Sequence, residues 1–258
     1  ALLEGATFEV YNEDLNVVDT ITTDAKGIAT TKDLPLGTYG IQEVKAPDYY
    51  LLDGKVFYAA LKVHNDLVRF EVLNTSDDVS VSIEKRGNQE VLTGDIMSYD
   101  FSNIRNDSNV ALEDFYFHDK LPTDAVRLSK IVTGTWSERL TYSVEYCTNK
   151  KDRYRTLASG LSSKTSHTLD CSREALDLAA GEYVTDIRFE FGTVQPGFHE
   201  ETKPVFYVSV LADLASGYRI INRADAGGRT GDEWIISKDT WVTVVWSKPK
   251  GNLPKTGI

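Results

Sequence analysis

Several residue types and patterns are scarce in this sequence, and each scarcity excludes something. Of 258 residues only two are cysteine and four are histidine. Cys147 and Cys171 are not spaced as CxxC and have no histidine neighbours, so a metal centre is not expected. No apolar run approaches the roughly 18 residues that cross a bilayer. Basic charge is short as well: 28 Lys and Arg against 39 Asp and Glu leave a net charge of −11. Nucleic acid, whose phosphates reward Lys and Arg clusters, is therefore not an expected partner. Such acidity suits a soluble surface protein that repels its own copies. The start, Ala1-Leu2-Leu3-Glu4-Gly5, lacks the charged and apolar regions of a signal peptide, so an export signal is expected outside this chain. His64, His118, His167 and His199 lie beside no Ser or Cys nucleophile signature, and His118 and Asp119, adjacent in a strand, point to opposite faces. A glycoside-cleaving carboxylate pair cannot be picked out among so many acids. Gly227-Gly228-Arg229-Thr230-Gly231 reads as a loop without the Gly-Lys-Ser/Thr of a phosphate loop. No cofactor is expected.

What is present is β-type alternation. Ala6–Tyr11, Val17–Thr22, Thr38–Val44, Phe57–Leu61 and Leu67–Asn74 read as short strands, with Ile28-Ala29-Thr30 as a further extended piece, separated by turns such as Asp24-Ala25-Lys26-Gly27. A polar link at Thr75–Asp78 precedes a second series: Val79–Lys85, Thr93–Phe101, Leu112–Phe117, Thr141–Tyr146, Tyr183–Phe191, Val205–Leu211 and Trp241–Trp246. Ser172–Leu178 reads as one short helix capped by Ser172. Four Trp between 136 and 246 are expected to fill a core. The expected fold class is all-β, with two tandem immunoglobulin-like β-sandwich domains at 1–76 and 77–248 and an extended tail at 249–258.

One residue stands out on physical grounds. Alternation along Val79-Ser80-Val81-Ser82-Ile83-Glu84-Lys85 puts Lys85 on the same face as Val79, Val81 and Ile83. A lysine on a buried face is unusual, because an unpaired ammonium is costly to bury.

Three stretches resemble known families. Leu253-Pro254-Lys255-Thr256-Gly257 is similar to the LPxTG cell-wall sorting signal of Gram-positive surface proteins. The resemblance implies a sortase partner that cuts between Thr256 and Gly257 and joins the chain to an amine of peptidoglycan or of another pilin subunit, outside the cell. "LEGATFEVY", "TDAKGIATTKDLPLGTYGIQEVKAPDYYLL" and the run ending at Asn74 resemble the Cna-B (SpaA-type) domain of Gram-positive pilins and adhesins. In that family a first-strand Lys condenses with an Asn under the influence of a Glu. The resemblance assigns Glu43 as the acid and Asn74 as the acceptor, with the donor Lys expected before "LEGA", outside this chain. The order Lys85, Gly94-Asp95, Tyr99, an Asn and Asp119-x-Leu121-Pro122 resembles Cna-A or DUF11-like repeats of the same proteins. It implies a second Lys–Asn isopeptide bond, from Lys85 to Asn222 with Asp119 as helper.

The chemistry requires burial. Desolvation lowers the lysine pKa and raises that of the acid. A neutral amine can then attack an amide whose carbonyl the protonated acid polarises, releasing ammonia. The function implied is a wall-anchored pilin subunit or adhesin, a sortase substrate and not an enzyme. The alternative is a host glycan- or matrix-binding module with its site in the second domain. Outside the cell Cys147 and Cys171, 24 positions apart, can form a disulfide. By loop entropy that bridge would contribute roughly 3 kcal/mol. Two buried thiols are the other outcome.

Overall fold

The computed structural model describes residues 2–48 and 50–248. It divides into two compact units, Ala1–Asp78 and Val79–Ile258. Both are built from strands, as the alternating patterns require, and the fold is all-β.

The first unit holds β1 (Thr7–Tyr11), β2 (Val17–Thr22), β3 (Gly37–Lys45) and β4 (Val56–Leu61) in one antiparallel sheet of order β2-β1-β3-β4. Phe8 and Val10 of β1, Tyr39 of β3 and Ala59 of β4 are buried. Glu43 sits two repeats along the same face of β3 as Tyr39 and is buried as Tyr39 is. Two expected strands are absent. Ile28-Ala29-Thr30 is not a strand, because the Asp24 side chain accepts the Ile28 N–H and the Asp24 N–H bonds back to Ile28, closing a turn. Leu67–Asn74 forms no ladder. Its apolar side chains stay largely exposed, except that Phe70 packs on Phe57 with ring centroids 5.5 Å apart.

The second unit is a sandwich. Its strands are β5 (Val81–Gly87), β6 (Glu90–Leu92), β7 (Ile96–Asn106), β8 (Leu112–Lys120), β9 (Val126–Val132), β10 (Thr135–Trp136) and β11 (Thr141–Thr148). Then come β12 (Lys151–Ser162), β13 (Thr168–Asp170), β14 (Val184–Val194), β15 (Glu200–Thr202), β16 (Val205–Val210), β17 (Tyr218–Thr230) and β18 (Glu233–Trp246). One sheet runs β12-β11-β14-β8-β17-β18-β6 and the other β13-β9-β16-β7-β5, with β10 and β15 pairing as a short ribbon. Aromatic rings join the two layers: Phe101 of β7 meets Phe117 of β8 at 4.6 Å, and Phe206 of β16 meets Phe189 of β14 at 6.1 Å. Only Trp136 of the four tryptophans is fully buried; Trp234 and Trp246 are close to half exposed, so the expectation that all four fill the core is corrected.

Two local readings are also corrected. Ser172–Leu178 turns without becoming a helix. Ser172 Oγ does accept the Ala175 N–H, but Asp177 adopts φ 47° and ends the winding within one turn. Gly227–Thr230 is not a loop but the end of β17, which pairs with β18 through Thr230 opposite Glu233. Glycine is required there by closeness: a Cβ on Gly227 would lie 2.7 Å from the Ile235 carbonyl oxygen, and one on Gly228 2.9 Å from Leu112 Cβ.

Candidate functional site

Lys85, Asp119 and Asn222 meet inside the second unit. Lys85 lies on β5, an edge strand of the five-stranded sheet; Asp119 and Asn222 lie on neighbouring strands β8 and β17 of the seven-stranded sheet. Asp119 pairs with Ala224, so Asn222, two residues along β17, projects from the same face. All three side chains are fully buried. Lys85 Nζ donates to Asp119 Oδ1, and Asn222 Nδ2 donates to Asp119 Oδ2 at 3.4 Å. One carboxylate thus holds the amine and the amide together.

Two rings close the amine off from water. Lys85 Nζ lies 4.1 Å from the Phe101 ring centroid and 4.6 Å from that of Tyr99. Burial lowers the Lys85 pKa to about 8 against the opposing pull of the Asp119 carboxylate. Burial likewise raises Asp119 above the usual carboxylate range, although Lys85, Asn222 and His118 all favour its charged form. The two shifts converge, so the pair can pass its proton from nitrogen to oxygen and become neutral amine and neutral acid. One detail departs from expectation. Asp119 faces the nitrogen of Asn222 and not its carbonyl oxygen, and Oδ1 is buried with no partner among the described residues.

In the first unit Glu43 and Asn74 also meet. Asn74 Nδ2 donates to Glu43 Oε1 at 2.6 Å, and Glu43 Oε2 accepts the Asp53 N–H at 2.8 Å. Among the described residues no lysine makes an ion pair or hydrogen bond with Glu43.

Residues 1–76 match the SpaA, prealbumin-like fold domain. No curated protein sequence matches the chain. Among solved structures, the chain is similar to BcpA, the major pilin subunit of Bacillus cereus, at 18% identity and a TM-score of 0.33, over 95% of this chain and 65% of that one. It is also similar to the full-length major pilin SpaD from Corynebacterium diphtheriae, at 18% identity and a TM-score of 0.30, over 94% and 61%. A cohesin module of a Clostridium perfringens family 33 glycoside hydrolase matches at 10% identity and a TM-score of 0.34, over 66% of this chain and all of that one. The chain thus spans a little under two thirds of the length of these pilins.

The remaining predicted residues fare differently. Of the two outcomes open for Cys147 and Cys171, the structure has two buried thiols: Cys147 lies on β11 of the seven-stranded sheet while Cys171 follows β13 of the other. The Cys171 thiol reaches the Leu169 carbonyl at 3.7 Å, and burial pushes its pKa up to about 12. Leu253, Pro254, Lys255, Thr256 and Gly257 lie outside the described residues. Among the described residues no group of His, Cys, Asp and Glu is arranged to hold a metal, and no helix is long and apolar enough to cross a membrane.

A second polar cluster was not anticipated from sequence. His118, on the outward face behind Asp119, bonds Asp225 through Nδ1 at 2.8 Å and Asp186 through Nε2 at 3.2 Å, and Tyr116 Oη donates to Asp225 at 2.8 Å. Burial opposes charge on His118, but the two carboxylates outweigh it and raise the pKa to about 9. Only its position opposite Asp119 in the pleat was legible; its partners come from β14 and β17.

Proposed function

We propose that this chain is a pilin-type surface subunit, stiffened by a self-formed Lys85–Asn222 isopeptide bond and joined to its neighbour or to the wall by a sortase acting at Leu253–Gly257. The observation that carries the reading is a fully buried lysine on one sheet sharing a carboxylate with a fully buried asparagine on the other. Neutral Lys85 Nζ is the nucleophile, Asn222 Cγ the electrophile and Asp119 the proton carrier, and close placement supplies the effective concentration. The event happens once per molecule and has no turnover, so the chain is a substrate in its own maturation. In the first unit Glu43 and Asn74 are the acid and the acceptor for a lysine supplied from elsewhere.

The test is the intact mass of the folded protein followed by peptide mapping. The expected result is the loss of one ammonia, located to a Lys85–Asn222 crosslink and abolished in Lys85→Ala. The full unmodified mass would overturn the crosslink. The wall-joining part is tested separately: incubation with a sortase and an amine should give a product ending in amide-linked Thr256, and none from a chain lacking Leu253–Gly257.

A further inference from the structure

Lys85 is held at two points, and the proton-carrying scheme uses only one of them. Its Nζ bonds to Asp119. Its backbone N–H, on an edge strand, donates to Asp239 Oδ2 at 2.7 Å. Asp239 lies on β18 of the opposite sheet. The Thr240 N–H bonds the other oxygen, Oδ1, at 2.8 Å and so fixes the direction of the carboxylate. The Arg86 guanidinium donates to the Lys85 carbonyl at 3.1 Å and lies 3.9 Å from Asp239 Oδ2. An edge N–H has no strand to bond; here a charged acceptor takes it, and such bonds are about twice as strong as neutral ones.

The two aspartates are aligned by the sheet. Asp119 of β8 pairs with Ala224 of β17, and Ala224 pairs with Asp239 of β18. Residues directly opposite one another project from the same face, so the three form one cross-strand row. At two strand spacings the row is roughly 9–10 Å long. Lys85 is gripped at its backbone by one end of the row and at its tip by the other. The middle residue is a buried alanine, small enough to leave room for the lysine stem between the acids. Asn222 stands two residues from Ala224 on the same face of β17 and bonds Asp119.

We propose that Asp239 is the positioning residue of the Lys85–Asn222 condensation: by anchoring the Lys85 main chain it sets where the amine at the far end of the stem arrives. The assignment rests on the crosslink reading above. In the step itself the Nζ–Cγ bond forms, the Cγ–Nδ2 bond breaks, and one proton passes from Nζ through Asp119 to Nδ2, which leaves as ammonia. Asp239 exchanges no proton and ends bonded as it began. Its part is to restrict an amine on a flexible four-carbon stem, where a displacement of about 1 Å can cost about 100-fold in rate. The docking of this chain segment on β18 does not depend on Asp239 alone. Trp241 Nε1 and Thr243 Oγ1 both donate to the Asn88 carbonyl, just past β5, at 3.0 and 2.7 Å. What Asp239 adds is a hold on Lys85 itself.

The experiment follows ammonia loss by intact mass in freshly synthesised full chain, quenched at intervals, for the parent, Asp239→Ala, Asp239→Asn and Thr243→Val. Rates are compared at the maximum of each pH–rate profile, because the Asp239 charge also favours the ammonium form of Lys85. Asp239→Ala should be about 100-fold slower. Asp239→Asn keeps an acceptor oxygen without the charge and should recover to within about 10-fold of the parent. Thr243→Val removes a neighbouring tie to the same strand and should react at the parent rate. Asp239→Ala at the parent rate overturns the assignment. So does an Asn variant as slow as the Ala variant, which would mark the charge and not the bond, or an equally slow Thr243→Val, which would mark general docking. A parent that never loses ammonia overturns the crosslink itself, a result distinguishable from failure of Asp239 alone. Should Asp239→Ala not fold, Asp239→Ser takes its place, since a short hydroxyl stays hydrated at a side chain 30% exposed and does not reach the Lys85 N–H. The parent rate in that variant overturns the role.

Discussion

At the scale of single residues, Lys85 announces itself through phase alone: a cation in register with Val81 and Ile83 on a face that must be buried. Tyr99 gives no such signal, because a tyrosine between Met97 and Phe101 reads as ordinary core; only its ring over the Lys85 amine and its unsatisfied buried hydroxyl distinguish it. Asp119 neutralises a buried ammonium, so Asp119→Ala alone should be less stable than the Lys85→Met, Asp119→Ala double variant by about 3–5 kcal/mol in urea unfolding, although neither can crosslink. Equal stabilities would show that the ion pair is not what holds the lysine. His118 supplies a pH signature. Its folded pKa of about 9 exceeds the unfolded value near 6.5, so its contribution is complete below pH 6.5 and disappears as pH rises through about 9. That contribution is at most about 3 kcal/mol. Unfolding measured at pH 6, 8 and 10 should show the decline, and His118→Gln should flatten it.

At the scale of elements, alternation identified most strands, and the failures have separate causes. Leu67–Asn74 alternates well, but alternation only says which face is apolar; a strand also needs a neighbour to complete its ladder, and none lies beside this run among the described residues. Gly227-Gly228 was misread for the opposite reason. Two glycines suggest a loop, yet here they let β17 lie close to Leu112 and to the Ile235 carbonyl. Gly228→Ala should therefore cost about 1–3 kcal/mol in denaturant unfolding, the usual penalty for overpacking. A neutral effect would restore the loop reading. The Ser172 cap was legible, but the positive φ at Asp177 that stops the helix was not.

At the scale of the second unit as a whole, the proposed bond ties one sheet of the sandwich to the other, because Lys85 and Asn222 lie on opposite layers. Closing the 137 positions between them should add roughly 5 kcal/mol by loop entropy. Under pulling, those 137 positions cannot extend; single-molecule stretching of Lys85→Ala should release roughly 450–490 Å more chain than the parent, at 3.3–3.6 Å per residue. Equal lengths would exclude the crosslink. Since Cys147 and Cys171 are not joined, a thiol reductant should leave the melting temperature unchanged. A fall in its presence would point to a disulfide.

By itself the sequence determined the all-β class, the two-part organisation and the lysine that had to find an acid, because these follow from the period-two placement of apolar residues and the cost of burying charge. Which late asparagine meets Asp119, and that the two cysteines remain thiols, came from the packed fold alone. Those facts depend on which strands become neighbours across and between the sheets, and pairing distant strands is a property of the closed sandwich that no local pattern carries.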